Sequence, residues 1–277
     1  MRSFIADDGE TIHVRVTGHG PPVVLVHQWA ADHTVWGEIP LALSGEFTVY
    51  CWDARGHGSH PRTPEVFPPL VGRMARDLRN LIEFFRLDRP LVVGHSMGAL
   101  TLWEFIGRYG CGRLGKVCFI DQSPRLLTDE QWQFGIYGDF SSQRNAAFID
   151  SMRRDFPETV LRLVADGKNP RATMQYQSQS RGMQKLREAL AKLDSEPLIT
   201  CWESLLEADY RAVLPEISIP TLLIYGSLSN YYSAETANWV NQAIPGSVLY
   251  FYDNADHSPH QAYPERFVHD LRVFAHN

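Results

Sequence analysis

The sequence predicts an α/β fold built on a mainly parallel sheet of eight strands flanked by helices. Three observations carry this reading. Short apolar runs, rich in β-branched and aromatic residues, recur at residues 23–26, 47–52, 90–93, 116–120, 221–225 and 248–252, each bounded by Gly, Pro or Asp. The runs are continuous, the pattern of strands covered on both faces. Amphipathic stretches stand between most of them, and alternation of strand and helix builds parallel sheets.

Taken in order, residues 3–17 hold Asp7-Asp8-Gly9-Glu10 between two alternating runs, the pattern of an antiparallel hairpin that supplies the first two strands. Pro21-Pro22 leads into the third strand at 23–26, and 47–52 (F-T-V-Y-C-W) is the fourth. Residues 70–85 place Val71, Met74, Leu78 and Leu81 on one helical face. Residues 90–93 form the fifth strand and 116–120 the sixth. The rhythm then breaks. Residues 123–214 show no clear strand but carry Trp132, Phe134, Tyr137, Phe140, Met152, Phe156, Met174, Tyr176, Met183 and Trp202. A helical cap is expected here, inserted between strands six and seven. It leaves residues 1–122 and 215–277 as the core domain. Substrates of open α/β sheets bind beyond the carboxyl ends of the strands, where such a cap would sit. Residues 221–225 and 248–252 complete the sheet, and 264–274 form a last helix.

Composition narrows the function. With 277 residues, 44% hydrophobic and 21% charged, the chain can bury a sizeable core. The net charge of −6 is spread over interspersed acids and bases, without the basic patch that nucleic acid requires. Cys51, Cys111, Cys118 and Cys201 are widely spaced and form no C-x-x-C pair, which argues against zinc and dithiol chemistry. Cys51 and Cys118 sit in apolar runs and read as small core residues. The Asp and His residues show no tight ligand spacing, so no metal is expected. No run approaches 18 apolar residues, and the first residues lack the apolar stretch of a signal peptide. A reduced, cytoplasmic protein without a membrane span is the expectation. No signature of an oligomeric state is present.

The chemistry centres on Gly94-His95-Ser96-Met97-Gly98, which fits G-x-S-x-G. It follows a strand-like run and precedes the helical A-L-T-L-W-E-F-I, the strand–turn–helix context that the motif needs. Ser96 is the expected nucleophile. A serine hydroxyl needs a base. Of 11 histidines, His257 follows the last strand in Asp256-His257-Ser258-Pro259-His260 and can swing over the elbow; His260 is the substitute. The acid is expected to be Asp121, at the end of strand 116–120, where it can fix the His257 tautomer. The loop Gly226-Ser227-Leu228-Ser229-Asn230-Tyr231 holds no carboxylate, and Asp253 and Asp256 are too near His257 in sequence for a facing geometry. The backbone N–H groups of Met97 and of Trp29, in the loop after 23–26, are the expected oxyanion donors. Pocket candidates are Trp29, His33, His95, Trp132, Tyr137, Phe140 and Trp202.

Together His27-Gln28-Trp29, Asp53-Ala54-Arg55-Gly56-His57-Gly58, the elbow, and His257-Ser258-Pro259-His260 before Tyr263-Pro264-Glu265-Arg266-Phe267 resemble the α/β-hydrolase superfamily over nearly the whole chain. The resemblance implies an enzyme without cofactor. Its leading form is a serine hydrolase that cleaves an ester, thioester or related acyl bond of an apolar or aromatic small molecule through an acyl-enzyme. Two features depart from the usual pattern: Gln28 replaces the small residue after His27, and the acid moves to Asp121 from the loop after the penultimate strand. A similar arrangement occurs in the cofactor-free 2,4-dioxygenases that open 3-hydroxy-4-oxoquinolines. There the His–Asp pair deprotonates the substrate and the serine is auxiliary. That is the alternative expectation.

Overall fold

A computed structural model describes residues 1–58 and 70–277 of the chain. Eight strands form one sheet: β1 (Arg2–Ile5), β2 (Thr11–Gly18), β3 (Pro22–Val26), β4 (Thr48–Trp52), β5 (Leu91–His95), β6 (Lys116–Ile120), β7 (Thr221–Gly226) and β8 (Val248–Tyr252). Their order is β1-β2-β4-β3-β5-β6-β7-β8. β1 pairs antiparallel with β2, and β2 antiparallel with β4; every later pairing is parallel. The hairpin and the mainly parallel sheet expected from the sequence are both present.

Side-chain alternation explains why the runs are continuously apolar. Val24 and Val26 of β3 pack into the apolar layer on one face, and Val23 and Leu25 into the layer on the other. The first layer is covered by α2 (Val71–Phe84) and α3 (Met97–Tyr109), the second by α1 (Ile39–Leu43) and the C-terminal α11 (Pro264–His276), which contributes Phe267 and Leu271. Cys51 and Cys118 are buried in the second layer, as free thiols. α9 (Ala234–Ala243) stands between β7 and β8, and the short α10 (Pro259–Ala262) precedes α11.

Five helices lie between β6 and β7: α4 (Ser142–Arg154), α5 (Phe156–Ala165), α6 (Pro170–Gln177), α7 (Arg181–Leu190) and α8 (Ser195–Glu207). Four of them start on a side-chain cap: Ser141, Asp155, Asn169 and Ser180 each accept from a backbone N–H in the following turn. These caps divide one long helical stretch into short pieces. Among the described residues, no helix is long and apolar enough to cross a membrane.

The loop after β4 is tied to α2 by an ion pair. Arg55, 1% exposed, sends Nε to Asp77 Oδ2 at 2.7 Å and Nη2 to Asp77 Oδ1 at 2.8 Å. Arg73 adds a bond to the same Asp77 Oδ1 at 2.9 Å. The elbow is locked more tightly still. A Cβ at Gly98 would stand 2.2 Å from the Val26 carbonyl oxygen, so α3 can approach β3 only with glycine there. Gly98→Ala therefore forces backbone apart and is expected to cost about 1–3 kcal/mol or more. Gly112→Ala, whose Cβ would meet nothing within 4 Å, is the control. Thermal unfolding should place Gly98→Ala several degrees below both the control and the parent; equal midpoints would contradict the close approach.

Candidate active site

Ser96 sits between β5 and α3 with φ 53° and ψ −115°, a left-handed conformation that a non-glycine residue adopts only under constraint. The constraint is visible on both sides. Its N–H donates to the Ile120 carbonyl at 3.1 Å, and a Cβ at Gly94 would lie 2.5 Å from the Gly98 carbonyl oxygen. The turn projects the serine above the sheet. Met97, the first residue of α3, belongs to the helical turn whose N–H groups lack intrahelical acceptors.

Asp121 follows β6 and is fully buried, also in a left-handed conformation with φ 46°. Its carboxylate takes three donors. Oδ1 accepts from His257 Nδ1 at 2.8 Å and from the Ser229 hydroxyl at 2.6 Å; Oδ2 accepts from the Gly226 N–H at 2.8 Å. Burial pushes the Asp121 carboxyl well above the usual carboxylate range, and the bonds from Ser229 and Gly226 pull it back. Three donors converging on two oxygens fit the ionised form, which is acceptor-only. His257 then holds its proton on Nδ1 and offers the lone pair of Nε2. Burial lowers the His257 pKa to about 4, keeping the ring neutral as a base must be.

Two further groups hold the His257 loop. The Asn230 Oδ1 accepts the His257 N–H at 3.2 Å, while its Nδ2 donates to the Val164 carbonyl at 3.0 Å. His95 is fully buried beneath the loop; its Nε2 lies 2.8 Å from the His257 carbonyl oxygen and its Nδ1 lies 3.1 Å from the Gln28 side-chain oxygen. His95 thus joins the elbow, the loop after β3 and the loop after β8.

Ser96, Met97, Trp29 and His257 line one cavity of about 300 Å³. Its walls are largely apolar, with Leu100, Leu126, Val160, Leu163, Leu190 and Leu205 among them. Among the described residues no hydrogen bond joins Ser96 Oγ to His257; such contacts often tighten only around a substrate. The Trp29 indole donates to the Leu198 carbonyl at 2.8 Å and packs 5.0 Å from the Trp202 ring, which fixes the loop after β3 against α8.

Of the seven pocket candidates, Trp29 and Trp202 line this cavity; the other five do not. His33 turns away because its Nδ1 and its N–H both bond Asp53 Oδ1 at 2.8 Å. His95 lies below the cavity, in the contacts just described. Trp132 packs edge-on to Trp239 at 4.7 Å, and its indole donates to the Arg125 carbonyl. Tyr137 and Phe140 line a separate cavity of about 350 Å³ between α4 and α5. His260 is buried against Trp36 and His95. Sequence reasoning missed Ser229, Asn230, Gln122 and the bridging role of His95. The polar loop after β7 was the available signal for Ser229 and Asn230, and the strand-end position next to Asp121 for Gln122.

Among the described residues, Asp32, His33 and Asp53 bring three ligand-type atoms within 4.8 Å of one another, a grouping invisible in the sequence spacing. Asp53 is engaged by His33, and Asp32 caps Thr34 at 2.7 Å.

With this geometry in view, the relationship of the chain is plain. Residues 23–270 match the alpha/beta hydrolase family, and the protein belongs to it. The chain is 27% identical, over 94% of its length and 96% of the relative's, to a pimeloyl-[acyl-carrier protein] methyl ester esterase of Chromobacterium violaceum. Its fold is similar to that of an esterase from Exiguobacterium antarcticum, with TM-score 0.84, 21% identity and 99% of each chain covered. It is similar also to a bromoperoxidase from Bacillus anthracis, with TM-score 0.85, 23% identity and 100% of each chain covered.

Four buried histidines have pKa values held below the ordinary 6.5 by desolvation: His27, His95, His257 and His260. Between 6.5 and each folded value the unfolded chain binds the extra proton, so stability is full above 6.5 and is lost as pH falls. Each group contributes about 1.4 kcal/mol per pH unit in that window. Asp121 and Asp77, both raised by burial, work in the opposite sense as two groups against four. The unfolding midpoint should therefore drop clearly between pH 7.5 and pH 5; a midpoint that rises over this range would contradict the buried, neutral histidines.

Proposed function

We propose that the protein is a carboxylic ester hydrolase that works through an acyl-enzyme on Ser96. The observation that carries this is the buried Asp121–His257 pair at 2.8 Å, opening into the same cavity as the strained Ser96. In this reading His257 Nε2 takes the Ser96 proton as Oγ attacks the ester carbonyl. Asp121 stabilises the imidazolium that results. The Met97 and Trp29 N–H groups receive the developing oxyanion, in a cavity whose walls are largely apolar, where such bonds are strong. His257 returns the proton to the departing alcohol, and water, activated by the same histidine, releases the acid. The named esterase relatives support ester cleavage, and the Leu-rich walls support an apolar or aromatic acyl group. Residues 123–214 act as the cap that closes this cavity, over a core of residues 1–122 and 215–277.

The position of Asp121 favours one other chemistry, in which the His257–Asp121 pair deprotonates a 3-hydroxy-4-oxoquinoline and oxygen adds to the anion. One experiment separates the two. In the ester reading, Ser96→Ala and His257→Ala each lower kcat on a short aryl ester by a factor on the order of 10⁴ or more, and oxygen is irrelevant. Ester turnover within a few-fold of the parent in Ser96→Ala sinks the ester reading. Oxygen-dependent quinolone loss that survives Ser96→Ala but not His257→Ala replaces it.

A further inference from the structure

Most polar groups in the cavity wall are already spent on the protein. Gln28 faces His95, Asn230 is bonded at both ends of its amide, Gln261 Nε2 donates to the Val35 carbonyl, and Asp256 Oδ1 accepts from the Ser258 N–H. The Tyr231 hydroxyl can donate or accept and selects neither. Gln122 differs. It is 2% exposed, lies next to Asp121 and forms part of the wall. Its Oε1 accepts from the Ser123 N–H at 2.8 Å and from the Tyr232 hydroxyl. The Ser123 N–H can only donate, so the amide cannot be turned round without setting donor against donor. This fixes Nε2 as the end of the side chain offered to the cavity, and among the described residues it has no protein acceptor. The carbonyl of the same residue is held by the Tyr225 hydroxyl at 2.5 Å, so the backbone behind the amide is fixed as well.

We propose that Gln122 is a specificity-determining residue: its oriented NH₂ group donates to a hydrogen-bond acceptor on the substrate, so the preferred ester is apolar over most of its length and carries a carbonyl-type oxygen away from the scissile bond. The inference rests on the hydrolase reading and narrows its substrate class. A buried donor left unpaired by a purely aliphatic chain is penalised, whereas a chain with an acceptor in register satisfies it. Selection therefore comes from what the aliphatic ester lacks.

The test uses the p-nitrophenyl ester of hexanoic acid, its keto analogues with the carbonyl at successive chain positions, and the matching hydroxy analogues. The readout is the ratio of kcat/KM between an analogue and hexanoate within one preparation, which does not depend on the folded fraction. The parent should favour at least one keto ester over hexanoate by about tenfold. Gln122→Met removes the donor and should bring that ratio to near one. Gln122→Glu keeps an oxygen for Ser123 and Tyr232 but places an acceptor where the donor stood. Above the pH at which this carboxyl ionises, its preference should move from the keto to the hydroxy ester. Keto-to-hexanoate ratios that are near one in the parent, or the same in parent and both variants, overturn the inference and leave the hydrolase reading intact. A parent chain that cleaves none of the esters overturns the hydrolase reading, and the inference with it.

Discussion

The site depends on one buried carboxylate. Asp121 is sealed from water and collects donors from three separate segments: the end of β7 through Gly226, the following loop through Ser229, and the loop after β8 through His257. A charge at that depth is tolerable only while those donors stay in place. The converse also holds. Gly226, Ser229 and His257 are fixed relative to one another because they share one anion. The placement of the imidazole over the elbow is a consequence of satisfying Asp121.

The parallel sheet makes that arrangement possible. β5, β6 and β7 run side by side in register, so Ser96, Asp121 and the Gly226 loop emerge at one edge as neighbours. The residues that leave the strands do so under strain: Ser96 and Asp121 both take positive φ. Strain of this kind persists where the surroundings over-determine the backbone. Here they do so through the Gly94–Gly98 and Gly98–Val26 approaches and through the Ser96 N–H to the Ile120 carbonyl. The helices between β6 and β7 complete the cavity. Trp29 is held to α8 through Leu198 and Trp202, so the loop after β3 is braced from above as well as from the sheet.

The central strands β3, β5, β6 and β7 were legible because burial on both faces leaves a continuous apolar run, and the half-exposed β8 because its run is β-branched and aromatic. Their ends were less so. β5 was expected to stop at residue 93 but continues to His95, a polar residue that is fully buried because its Nε2–H donates to the His257 carbonyl while Nδ1 stands against the Gln28 side-chain amide. Ser96 and Asp121 were candidates because each stands directly after a strand, and His257 because it lies in the loop that follows the last strand. The pocket could not be read in the same way. Trp132 is as aromatic as Trp202, yet it packs on Trp239 while Trp202 reaches the cavity wall. Composition does not say which helical face turns inward. Ser229 was hidden for a different reason: a short polar side chain in a loop declares its role only when its acceptor, over a hundred residues away, is brought beside it.

The central claim is that Ser96 is a nucleophile activated by His257. Its most direct test is to treat the protein with an aryl phosphonate that esterifies activated serines, and then to map the adduct by peptide mass spectrometry. The account predicts stoichiometric phosphonylation of the peptide that contains Ser96, with His257→Ala leaving the same serine unmodified. An unmodified Ser96 in the intact protein, or a label that goes to another residue, would contradict it.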